Sequence, residues 1–147
     1  MVVRPAVIVH GLADARAALA AGAPVALLSP PGAALYAGCL WWRELVARAA
    51  GAFPAADHTD ILDCADGSGE AMAALRIGLC RLVLWPSAPG WDAVAAIAAR
   101  QGGFALRAAP PALDLAARGA MRRLDDWLLG RISANDPGAG DTGPSLG

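Results

Sequence analysis

His10, Asp63, Asp66 and Ser68 are the side chains of this 147-residue chain whose types and places suggest joint chemistry. A histidine beside a carboxylate can move protons or hold a cation. Ser68 sits in Gly67-Ser68-Gly69 ahead of a helical stretch, where backbone N–H groups can receive a ligand. The spacing matches neither the dinucleotide fingerprint nor the P-loop, and Asp63 and Asp66 repel phosphate. A neutral polar or amine-bearing ligand, or a metal, suits that charge better. Ser29 and Ser87 follow two other apolar runs and complete the candidate ligand-binding set. Each of these residues also has a purely structural use, as a strand-end histidine, a helix cap or a turn former.

Several chemistries are excluded. All twelve basic residues are arginine, so there is no Schiff-base lysine and no P-loop lysine. No serine occupies a Gly-x-Ser-x-Gly elbow. Cys64 lies between Asp63 and Asp66, which disfavour its thiolate. The cluster Asp57-His58-Thr59-Asp60 is about 10 Å or more from the Asp63–Asp66 turn along a strand, so the two cannot share a metal. It reads as a solvated strand entry. No metal site and no cofactor are expected, and no catalytic set is complete, so the reading leans away from an enzyme.

Five short apolar runs must position these residues: Ala6–Val9, Val25–Leu28, Ile61–Cys64, Leu82–Trp85 and Phe104–Leu106. Most are followed by an alanine-rich helical stretch, the alternation of a parallel sheet with covering helices. Ligands of such sheets bind beyond the carboxyl ends of the strands, where His10, Ser29, Asp63 and Ser87 fall. Leu35, Cys39, Trp42, Leu45, Val46 and Ala49 recur at helical spacing and predict one long helix over about 34–50. Leu113, Ala117, Met121, Leu124 and Leu128 predict a last helix over about 113–129. The expected fold is a three-layer, doubly wound, five-stranded parallel sheet of flavodoxin-like order 2-1-3-4-5 over residues 1–132, with a disordered tail over 133–147.

This layout resembles response-regulator receiver domains in alternation and length. Asp63 and Ser87 stand roughly where a receiver has its phosphoacceptor and hydroxyl. His10-Gly11 replaces the acidic pair after the first strand, and Arg107 stands where the lysine is expected. The likeness therefore implies the fold and not phosphotransfer.

A net charge of −1 without a basic stripe argues against nucleic-acid binding. No charge occurs between Arg16 and Arg43, but Gly22, Pro24, Pro30, Pro31 and Gly32 break that stretch, which argues against a membrane span. Three cysteines without a CxxC pair, and an N-terminus without a signal-peptide layout, fit a reducing cytoplasm. Tyr36, Leu40 and Trp41 fall off the core-facing stripe of the long helix, with Trp91 and Trp127 as further large aromatics. Surplus aromatic surface of this kind predicts an interface, most simply a homo-oligomer. The leading expectation is a small self-associating α/β domain with a binding or regulatory role. The alternative is a small enzyme or ligand-binding protein acting through His10, Asp63, Asp66 and Ser68.

Overall fold

The computed structural model describes residues 4–133. In chain order its elements are β1 (Ala6–Ile8), α1 (Leu12–Ala20), β2 (Val25–Leu28), α2 (Ala33–Tyr36), α3 (Cys39–Ala52), β3 (His58–Asp63), α4 (Ser68–Arg76), β4 (Arg81–Val83), α5 (Trp91–Arg100), β5 (Phe104–Leu106), β6 (Ala112–Asp114) and α6 (Ala120–Leu128). The expected tail, from residue 134 onward, lies outside the described residues. No helix among the described residues is long and apolar enough to cross a membrane.

All six strands run parallel in one sheet of order β5-β4-β3-β2-β1-β6. This corrects the expected order 2-1-3-4-5: β1 is flanked by β2 and β6, and β3 by β2 and β4. The sixth strand is Ala112–Asp114, which the leucine spacing assigned to the last helix. Pro110-Pro111 favours extended backbone just before it. Leu113 and Leu115 then face the core, with Asp114 between them on the other side.

Because β1 to β5 advance across the sheet in one direction, crossovers of a single hand place their helices on one face. The buried residues bear this out. Ala18, Ala34, Trp42, Leu75, Val94 and Leu124, one from each of the six helices, join Val7, Leu27, Leu62, Leu82 and Leu113 in one apolar cluster. The alternate strand positions form a second cluster without any helix: Ala6, Ala26, Leu28, Ile61 and Val83, with Ile8, Phe104, Leu106 and Ala112 against them. The molecule thus has two layers rather than the expected three.

The uncovered face is nonetheless buried, and chain geometry explains why. Only residues 107–111 join β5 to β6, although these are the opposite edges of the sheet. Crossing five strand spacings in a flat sheet takes about 24 Å, whereas six Cα steps reach at most about 22 Å. The link must also return from the carboxyl end of β5 to the amino end of β6. A flat sheet is excluded, so the sheet curls until its edges approach, with the helices on the convex side. The strand order is that of a six-membered ring opened between β5 and β6. Register agrees: β3 gives its first four residues to β2 and its last two to β4, the stagger of a coiling sheet.

The single long helix expected over 34–50 is broken. Gly38 has φ +87°, which residues bearing a Cβ rarely adopt, and it separates α2 from α3. From there Trp42, Leu45, Val46 and Ala49 form the buried stripe of α3 at helical spacing, as expected.

Candidate functional site

The strand carboxyl ends form the lip of the curled sheet. At its β1–β6 corner, His10 lies two residues beyond Ile8, and Ile8 is in register with Asp114. His10 Nε2 is 2.7 Å from Asp114 Oδ1. The same carboxylate oxygen accepts the Ala116 N–H at 2.9 Å, closing an Asx turn that fixes its rotamer. The His10 backbone N–H donates to Asp14 Oδ2 at 2.9 Å. The ring is thus held at Nε2 and the backbone at its amide, while the side chain stays 37% exposed.

At the centre of the lip, Ser29 and Asp63 are both buried, Asp63 at 3% exposure. Ser29 Oγ accepts the Asp63 N–H at 2.8 Å and donates to Pro30 O, which ties strand end β2 to strand end β3. Asp63 Oδ1 accepts the Ala65 N–H at 2.9 Å. That bond holds Ala65 at φ +48°, an uncommon conformation for alanine that costs about 1–3 kcal/mol. The Trp85 N–H, donating to Ala65 O at 2.7 Å, fixes the turn from the β4 side. Ser68 Oγ donates to Pro89 O, so its hydroxyl ties the α4 start to the loop before α5. Asp66 and Ser87 are exposed.

Of the candidate ligand set, the structure therefore joins Ser29 with Asp63 and gives Ser68 a loop-bracing bond. It does not join His10 to Asp63, Asp66 or Ser68. β2 separates β1 from β3, a lateral gap of about 10 Å. The partner that His10 does meet, Asp114, is 104 residues away. Only the Leu113-Asp114-Leu115 alternation, a period of two just after two prolines, marked it in the sequence.

Burial pushes the Cys64 thiol up to about 12, reinforced by the nearby Asp63 and Glu70 carboxylates and by Cys39. It is no nucleophile at neutral pH. Among the described residues, no group of three or more His, Cys, Asp or Glu is placed to hold a metal ion. The acidic strand entry pairs with arginines instead: Asp57 with Arg4 at 2.6 Å and Asp60 with Arg81 at 2.9 Å.

The large aromatics divide between core and surface. Trp42 is fully buried; Trp127 is buried and donates Nε1 to Ala6 O at 2.8 Å. Trp91 donates Nε1 to Leu84 O at 2.7 Å and carries the Arg107 guanidinium 4.4 Å from its ring centre. Trp41 is half-buried, packs on the main core and tilts against Trp42. Tyr36 at 69%, Leu40 at 60% and Leu35 at 47% remain exposed. Leu35 was expected on the core-facing stripe, but the break at Gly38 resets the helical phase. Its side chain lies instead over Gly67 and Gly32, beside Ala65. Trp85, whose N–H meets Ala65 O, is a further exposed large side chain, at the end of β4.

Comparison with protein families, with curated proteins and with solved structures finds no match to this chain.

Proposed function

We propose that this chain is a self-associating α/β domain with a binding or regulatory role, and that two copies pair through Leu35, Tyr36 and Leu40. The observation that carries this reading is the exposure of these three large apolar side chains within one short stretch at the α2–α3 corner. Contiguous apolar surface of this kind is costly in water and marks contact sites. Arg43 and the exposed ion pair of Glu44 with Arg48, at 2.8 Å, border it. A two-fold pairing can set Arg43 of each copy against Glu44 of the other, so both signs find a partner across the seam.

The hydrogen-bonded state of Ser29 and Ser68 and the raised thiol of Cys64 support a non-catalytic role. A net charge of −1 argues against nucleic acid as partner, and three free cysteines favour a cytoplasmic setting. Light scattering on a size-exclusion column tests the reading. At tens of micromolar the chain is expected at twice its 14.8 kDa mass, and a Leu40→Arg, Tyr36→Arg double variant at one. A wild-type monomer at high micromolar concentration overturns it.

A further inference from the structure

We propose that His10 and Asp114 form the polar anchor of a small-ligand site on the concave side of the lip. Its ligand is a compound that offers an N–H donor and carries no negative charge, most simply an aliphatic amine.

An ionised carboxylate can only accept, so the 2.7 Å contact with Asp114 keeps the hydrogen of the neutral ring on Nε2. Nδ1 is then a lone-pair acceptor, and it pairs with no other described residue. Asp114 acts here as a positioning residue. Its own oxygen is fixed by Ala116, and the His10 backbone is fixed by Asp14, so orienting the ring costs the ligand nothing further. A histidine kept only for packing is normally buried with both nitrogens used; this one is 37% exposed with a single ring nitrogen bonded.

Its place fits a ligand as well. His10 and Asp114 have the strand parity of Ala6, Ile8 and Ala112, members of the helix-free concave cluster. They stand at the carboxyl ends of parallel strands, where ligands of such sheets bind. The charge around them selects the ligand class. Asp14 and Asp114 adjoin the ring, and Asp63, Asp66 and Glu70 follow along the lip. Of the arginines near the lip, Arg107 is engaged on Trp91 and exposed Arg118 follows Asp114 by four residues, so the carboxylates still outnumber the arginines. That field repels anions and draws an ammonium or a neutral amine.

The chain has only two histidines, so ring spectra by nuclear magnetic resonance read His10 directly against His58. His58 is half-buried, with Nδ1 3.3 Å from Ala56 O, and serves as internal control. The full-length chain is titrated with ethanolamine and, separately, with acetate at constant ionic strength. The His10 ring signals are expected to move and saturate with ethanolamine, to show no saturation with acetate, and the His58 signals to stay. The free protein is expected in the Nε2–H tautomer. Asp114→Asn keeps an acceptor for the Ala116 N–H, but loses the charge that sets the tautomer. It is expected to mix the tautomers and weaken ethanolamine binding about tenfold, the loss of one charge-assisted hydrogen bond. Equal movement of both histidines, a drift without saturation, or an equal response to acetate overturns the proposal. So does wild-type affinity in a folded Asp114→Asn protein. Should that variant unfold on heating below the wild type, Asp114→Glu, which keeps the charge, is expected to retain binding; loss of binding there also overturns it. Each of these outcomes is independent of whether the chain pairs with a second copy.

Discussion

On the convex face of the sheet, six helices press side chains such as Trp42, Leu75 and Leu124 onto Val7, Leu27, Leu62 and Leu82. On the concave face no helix takes part, yet Ala6, Ala26, Leu28, Ile61 and Val83 are buried just as deeply. The two faces exclude water by different means. The convex face gains a second layer; the concave face closes on itself. Side-chain size follows that division. Ala112, Ala6 and Ala26 stand in register as a row of small residues, with Ile8 and Leu28 paired two positions further on and Ile61, Val83, Phe104 and Leu106 on the β3–β5 side. A row of small residues leaves room for large ones when a sheet curls, as in the tapered interiors of small barrels.

Substitutions on the two faces can break or sharpen this contrast. Trp42→Ala removes the largest fully buried side chain of the convex core and is expected to cost about 3–5 kcal/mol in denaturant unfolding. A loss below about 1 kcal/mol would mean that α3 is not packed as described. Ala6→Leu tests the other face. On an open, flat sheet added bulk would change stability by no more than about 0.5 kcal/mol. Inside a curled one it is expected to cost about 1–3 kcal/mol through overpacking.

Next in size is the Cys64 thiol on the convex face. Burial raises its folded pKa above the ordinary thiol value, so the native state holds the proton more tightly than the unfolded chain. That stability is fully present below pH 9.0 and is lost as pH rises from 9.0 towards about 12. Unfolding measured at pH 10 should show about 1 kcal/mol lost relative to pH 8. In Cys64→Ala that component of the slope should vanish, and an unchanged slope would show the thiol to be solvated. The smallest expected effect is that of Tyr36→Arg, which should leave the unfolding free energy within about 0.5 kcal/mol because Tyr36 packs on neither face. A larger loss would place Tyr36 in the core of its own chain.

Much of this fold was legible in the amino-acid pattern. Val25–Leu28, a short apolar run closed by Ser29-Pro30, is a strand with the bounds expected, and the stripe from Trp42 to Ala49 is the buried side of a helix. The misreadings share one cause: long-range neighbours decide where local periodicity is ambiguous. Leu113 fits a helical stripe and a period-two strand equally well, and only the open edge of β1 selects the strand. Leu35 fits the stripe of an unbroken helix, and Gly38 breaks that helix. With β6 unseen and the winding direction open, both the strand order and the layer count were set wrongly. The candidate site divides in the same way. That His10 belongs to a strand end was visible, because strand ends are local. That its partner is Asp114 was not, because their meeting depends on which edge the sixth strand joins.

The pairing of β6 with β1 underlies both the curl and the His10–Asp114 corner, and backbone proton contacts in solution test it most directly. Interstrand nuclear Overhauser effects are expected between Ala6 and Ala112 and between Leu28 and Ile61, with none linking β1 to β3. Contacts of Ala6 or Ile8 with the backbone of β3, in place of those with Ala112, would contradict the strand order and the site derived from it.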